Sequence, residues 1–223
     1  MSNITFDYME TYIKNLIPER TGMLKEVEEY AREHKVPIVQ KETGKFLELM
    51  VTMKRPLRIL ELGTAVGYSA ILMYNAANTN PDIVTIERDP EMIALAKENL
   101  KRFNLEHKIK IEDGDCLEIL EKLEEPFDFI FMDAGKGHYN HFLPHCLRLL
   151  KQDGIIVADN VLFRGMVATN ELVKRRKITI VKRMRKYLDM VSDDDSLVTS
   201  VIPMGDGIAV TTRKPISEKK GEN

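Results

Sequence analysis

The chain has 223 residues, enough for one large domain with a substantial buried core. Its 43% hydrophobic and 30% charged residues are ordinary for a soluble globular protein, and a formal net charge of −2 excludes a case for nucleic-acid binding from overall charge alone. The cysteines, Cys116 and Cys146, form no metal-type pair and fit a reducing compartment; "MSNITFDYMETYIK" has no apolar leader core and no apolar run reaches membrane-spanning length, so a cytoplasmic protein without membrane contact is expected.

Residues 1–55 read as helices, because "YMETYIKNLI", "MLKEVEEYAREH" and "GKFLELMVTM" space apolar residues three and four apart. Pro56 closes this segment. Short Ile- and Val-rich runs then follow at 57–62, 82–87, 108–113, 127–133 and 154–159, separated by the helical stretches "YSAILMYNAA", "PEMIALAKENLKRF", "CLEILEKL" and "YNHFLPHCLRLL". Such alternation implies a parallel α/β sheet with helices on both faces. "SLVTSVIP" and "GIAVTT", joined by "MGD", break the alternation and predict a terminal antiparallel hairpin. The expectation is a single domain with an N-terminal helical segment (1–55), a core of mainly parallel, seven-stranded sheet (56–214) and a frayed tail (215–223).

Chemistry gathers at the expected strand ends. In "ELGTAVGYS" (61–69), Gly63 and Gly67 allow a sharp turn and close approach to a ligand at a helix N-terminus, although the G-x-G-x-x-G spacing of dinucleotide sites is absent. A glycine pair alone is more simply a tight turn. Glu87, ending the second strand, shifts the balance, since an acid there can hydrogen-bond a ribose. "DGD" (113–115) ends the third strand, where an adenine edge would lie. "FMDAGKGHY" (131–139) places Asp133 and Lys136 at the mouth of the fourth, as either a plain ion pair or a cation ligand beside a base. "VADNVLFRG" (157–165) brings Asp159 and Asn160 to the neighbouring strand tip. Two carboxylates and an amide oxygen suit a hard divalent cation such as Mg²⁺. His138, His141 and His145 lack a ligand to complete a zinc set and read as ordinary helix residues, with His138 a candidate for the pocket lining; the cysteines read as core filler.

Taken in order, E-x-G-T-x-x-G-Y-S, Glu87, D-x-x-K and A-D-N-V resemble the cation-dependent class I O-methyltransferases, the group of catechol and caffeoyl-coenzyme A O-methyltransferases, over roughly residues 36–212. The resemblance implies a Rossmann-like methyltransferase sheet and S-adenosylmethionine along Glu61, Gly63 and Ser69. It places Glu87 on the ribose, Gly114 and Asp115 near the adenine, and Val39 over the methionine end, with Asp133 also touching the cofactor. It implies Asp133, Asp159 and Asn160 as ligands of Mg²⁺ or another divalent cation, Lys136 as catalytic base beside Asp133, and a homodimer.

The acceptor is the open question. "KRRKITIVKRMRKY" (174–187) carries eight Lys or Arg and no acid, with Arg164 before it and "SDDD" (192–195) after it. The plain reading is a solvated amphipathic helix. Its single sign and its place after the metal loop favour a phosphate-attracting flank formed by Arg164, Lys174, Arg175, Arg176 and Lys177. Within the family, "VPIVQKETG", "ELGTAVGYSA", "DAGKGHY" and "DNVLFRG" are most similar to the bacterial tRNA 5-hydroxyuridine methyltransferases. That resemblance implies a tRNA anticodon loop as partner and conversion of wobble 5-hydroxyuridine to 5-methoxyuridine. A 5-hydroxyl beside O4 can chelate a cation as a catechol does, and a single-stranded loop can splay the base out. A small catechol or hydroxycinnamoyl acceptor is the alternative.

Overall fold

The computed structural model describes residues 4–215. Three helices, α1 (Asp7–Leu16), α2 (Gly22–Glu33) and α3 (Lys41–Lys54), precede the first strand. Strand and helix then alternate as β1 (Arg58–Leu62), α4 (Tyr68–Ala76), β2 (Asp82–Glu87), α5 (Pro90–Arg102), β3 (Ile109–Asp113), α6 (Cys116–Lys122), β4 (Phe127–Met132), α7 (Tyr139–Leu149) and β5 (Leu150–Asp159). The chain closes with α8 (Ile178–Ser192), β6 (Leu197–Ile202) and β7 (Ile208–Arg213). The strands form one seven-stranded sheet in the order β3-β2-β1-β4-β5-β7-β6, parallel through β5 and antiparallel at β5–β7 and β7–β6, as expected.

Side-chain alternation explains why both faces need helices. Ile59, Phe129 and Phe131 point into one core layer with Val27, Leu47, Val51 and Ile71, while Leu60, Leu62, Ile130 and Met132 point into the other with Tyr139, Leu143 and Tyr187. All six residues of β4 are buried, which accounts for the unbroken "FDFIFM" run. At about 1.5–3 kcal/mol for each large apolar side chain fully removed from water, these two layers fix the sheet between its helices. Strand order reverses between β1 and β4, and the C-terminal ends on either side of that point border a crevice.

Two features depart from the sequence expectation. β5 begins at Leu150 rather than at Gly154, because its register with β4 slips between Phe127↔Leu150 and Phe129↔Ile155, taking the turn-like "KQDG" into the strand as an irregularity. Lys174 is extended and Arg175–Lys177 form a 3₁₀ turn, so helix α8 starts only after the first four basic residues. α1 buries none of its side chains and leaves Tyr8, Met9, Tyr12, Ile13 and Leu16 exposed. Of the tail expected to fray, 215–223, all but Pro215 lies outside the described residues. No helix among those residues is long and apolar enough to cross a membrane.

Candidate active site

The turn after β1 is built by positive-φ residues. Gly63 (φ 103°) presses on Ala134, where an added Cβ would come within 2.9 Å of the alanine's own Cβ, and Gly67 (φ 85°) caps α4. Glu87, at the tip of β2, holds this turn. Its Oε2 accepts from the Ala65 N–H (3.0 Å) and its Oε1 from those of Arg88 (2.9 Å) and Asp89 (3.1 Å). Beneath lies a chain of hydroxyls. Thr85 donates to Glu61 Oε2 (2.6 Å), so its single proton is used and Thr64, 2.6 Å away, must donate to Thr85. Glu61 is fully buried, its Oε1 has no hydrogen-bond partner among the described residues, and burial pushes its carboxyl up to about 7. Ser69 is buried in the first turn of α4.

A cavity of about 700 Å³ opens over this turn, and its wall joins Val39, Gly63, Glu87, Asp133, Lys136, Asp159 and Asn160, which lie far apart in the chain. A second cavity of about 620 Å³ adjoins it past Glu87 and Lys136, lined by Gly114 and Asp115 with His138, Phe163 and Lys177. Asp115 also caps α6 by accepting from the Leu117 N–H (2.9 Å) and pairs with Arg88 (3.4 Å). A third cavity of about 420 Å³ is basic, lined by Lys136, Arg164, Lys174, Arg176 and Lys177 around Phe163, Met166 and Leu172. Lys136 borders all three. Arg175 lines none of them, so the sequence-based grouping of four adjacent basic residues splits here.

Asp133 and Asp159 face each other's field from neighbouring strand tips. The buried Tyr139 hydroxyl ties those tips together from below, 2.8 Å from the Met132 carbonyl and 3.1 Å from that of Asp159. Burial, with a smaller push from Glu61 and against the pull of Lys136, raises Asp133 to about 6. Burial and then the charge of Asp133 raise Asp159 to about 7. Among the described residues no direct salt bridge joins Asp133 to Lys136, so the plain ion-pair reading of "DAGK" does not hold. Asn160 has a left-handed backbone (φ 61°), and its side-chain amide makes no hydrogen bond among the described residues. Those residues include no cluster of three His, Cys, Asp or Glu suited to a metal. A cation here would rest on the carboxylates of Asp133 and Asp159 and the Asn160 amide, an all-oxygen set matched to a hard ion and able to offset the burial that chiefly keeps the two acids raised.

One residue of the site escaped the sequence reading. Asp159 is in register with Ile208, so the β6–β7 turn, counted only as a connection, lies beside the tip of β5. Asp206 in that turn lines both the first and the basic cavity, and its Oδ1 accepts from the Arg164 N–H at 2.5 Å. Its carbonyl accepts from Leu162 (3.0 Å), while Gly207 (φ 89°) sits so close to Leu162 that no Cβ would fit. The pattern "GDG" before a strand could have signalled a tight turn, but only the antiparallel register places it at the site.

The glycine turn, the acids at the tips of β2, β4 and β5 and the reversal of strand order define a Rossmann-like methyltransferase. The chain belongs to the O-methyltransferase family, whose sequence profile its residues 16–214 match. It is 36% identical over 210 residues to a catechol O-methyltransferase of Niastella koreensis (92% of this chain, 93% of the relative) and 26% identical over 214 residues to caffeoyl-CoA O-methyltransferase 2 of Populus trichocarpa (89% and 85%). The SAH-bound structure of the methyltransferase PaMTH1 from Podospora anserina superposes with a TM-score of 0.85 at 27% identity, covering 94% of this chain and 95% of that one.

Proposed function

We propose that this O-methyltransferase uses S-adenosylmethionine and a divalent cation to methylate the 5-hydroxyl of 5-hydroxyuridine at the tRNA wobble position. When bound, the cofactor supplies the methyl group and a cation such as Mg²⁺ acidifies and orients the acceptor hydroxyl. The rest falls to the chain. Gly63 and Gly67 leave room for the ligand's approach over α4, Glu87 offers an acceptor to its polar groups, and the buried Glu61 supports the turn from beneath through Thr85. Asp133, Asp159 and Asn160 hold the cation at the strand tips. Lys136 takes the proton that leaves the hydroxyl oxygen, from a position that borders both the cofactor side and the acceptor side. SAH bound in the structural neighbour supports the cofactor assignment.

The observation that carries the acceptor assignment is the basic cavity. Arg164, Lys174, Arg176 and Lys177 gather beside Lys136 around the half-buried Phe163, over whose ring Lys177 stands at 5.8 Å, a combination that favours a phosphate-flanked base over a neutral phenol. Methyl transfer from labelled cofactor into tRNA purified from cells lacking the protein tests the assignment, with nucleoside mass spectrometry of the same tRNA. The expected result is accumulated 5-hydroxyuridine in those cells and 5-methoxyuridine after reaction. A second reading, methylation of a small catechol or hydroxycinnamoyl acceptor, is favoured by the names of the curated relatives. An unchanged nucleoside profile together with efficient catechol turnover would establish it instead.

A further inference from the structure

Asp206 has a divided carboxylate. Oδ1 is spent on the Arg164 N–H, which locks the segment where Asn160, Phe163 and Arg164 all hold left-handed backbone (φ 61°, 45° and 57°). Oδ2 accepts no hydrogen bond among the described residues, although the residue is half-buried and lines the reaction cavity as well as the basic one. On the wall of both cavities, that second oxygen is open to accept from a bound molecule that displaces its water. The neighbours limit what that donor can be. Among the described residues Asp206 is the one acid on the wall of the basic cavity, and it stands next to the Asn160 loop, sharing the first cavity with the two strand-tip acids.

Resting on the tRNA reading above, we infer that Asp206 selects the acceptor by accepting a hydrogen bond from a ring N–H adjacent to the chelating oxygen pair. Along one edge of 5-hydroxyuracil the groups run hydroxyl, carbonyl, N3–H. With the two oxygens turned to Asp133, Asp159 and Asn160, the next group along that edge is the N3–H donor. A catechol presents a C–H there and leaves Oδ2 unsatisfied. Sites built to receive a polar hydrogen reject analogues lacking it far more strongly than apolar pockets discriminate by size. Asp206 is thus a specificity-determining residue, and it also positions the Arg164 loop through its other oxygen.

The test compares an anticodon stem-loop RNA carrying 5-hydroxyuridine with the same RNA methylated at N3, using wild-type enzyme and Asp206→Asn. Asparagine keeps the size of aspartate and its Oδ1 can still accept from Arg164, but it turns an amide donor toward the ring. The wild type is expected to prefer the N3–H acceptor at least tenfold in kcat/KM, and the preference should collapse to near unity or invert in the variant. A purely steric effect of the N3 methyl would persist in the variant, and that outcome overturns the inference while leaving the tRNA reading intact. An unchanged preference accompanied by a raised Mg²⁺ requirement would make Asp206 a cation ligand instead, and also overturns it. Wild-type enzyme that ignores both RNAs but methylates a free catechol removes the tRNA reading and this inference together.

Discussion

Lys136 stands three residues from Asp133 on the wall of the same cavity, yet the two share no direct salt bridge. The amine is therefore not pinned to that carboxylate, although its charge still pulls on it, and it borders the acceptor side of the site as well. Lys136→Ala should lower kcat by roughly 10²–10⁴ while changing cofactor affinity little, the range usual for loss of a general base. The pH–rate profile is the discriminating measurement, since activity recovered at high pH marks the loss of a base and a uniformly low profile marks a structural defect.

Removing the cation should be as damaging as removing its ligands. Excess chelator is expected to abolish turnover, with full return on adding Mg²⁺. Asp133→Ala, Asp159→Ala and Asn160→Ala should each lose roughly a hundredfold or more, corresponding to several kcal/mol of lost charge stabilisation. Calorimetry with SAH should still show binding in Asp159→Ala and Asn160→Ala. Full activity in chelator would exclude the cation.

The split basic cluster makes a graded prediction. Arg176→Ala and Lys177→Ala, on the cavity wall, should raise KM for tRNA more than Arg175→Ala, which lines no cavity. Each lost phosphate contact should flatten the slope of log K against log salt by about 0.7–0.9. Equal effects from all three would return the run to the status of a solvated surface.

Glu61 ties stability to pH. Its carboxyl is raised in the folded protein to about 7 by burial, above the ordinary value near 4.5, so the fold favours the protonated form. The stability it contributes is fully present below about pH 4.5 and is lost as pH rises through 7. Over that span the loss is on the order of 3 kcal/mol. Cofactor-free protein should show a falling urea midpoint between pH 5 and 8, and Glu61→Gln, which still accepts from Thr85, should flatten that fall.

α1 turns Tyr8, Met9, Tyr12, Ile13 and Leu16 to solvent, more apolar surface than an isolated surface helix carries comfortably. A homodimer that covers this face is expected. Light scattering at micromolar concentration should report twice the chain mass, falling toward one chain mass in a Tyr12→Glu, Leu16→Glu double variant.

Strand ends were legible in the sequence because a parallel sheet leaves its mark as short apolar runs bounded by turn residues, and Glu87, Asp133 and Asp159 sit at those boundaries. Lys136 and Asn160 followed from the same strand-end motifs and their resemblance, and Val39, ahead of the sheet, from the resemblance alone. Asp206 was not legible, since its place depends on which residue of β5 faces Ile208 across an antiparallel pair, a register no local pattern encodes. The late start of α8 was hidden for a related reason. Lys and Arg favour helix as readily as most residues, so nothing in "KRRK" announces an extended entry followed by a 3₁₀ turn.

The turn joined to the tip of β5 divides the site along the chain. Residues assigned to the cofactor come from positions 39–133, with Phe163 and Lys177 reaching the same cavity wall, while those assigned to the acceptor and its cation, apart from Asp133 and Lys136, come from 159–206. Recognition of one reactant can therefore drift with little change to the other, because the two sets meet only at the loop carrying Asp133 and Lys136 and at Phe163 and Lys177. Grafting the 159–206 stretch between relatives would exchange acceptor preference as a module and leave methyl-donor handling with the recipient, a genetic economy that lets one sheet serve many hydroxyls.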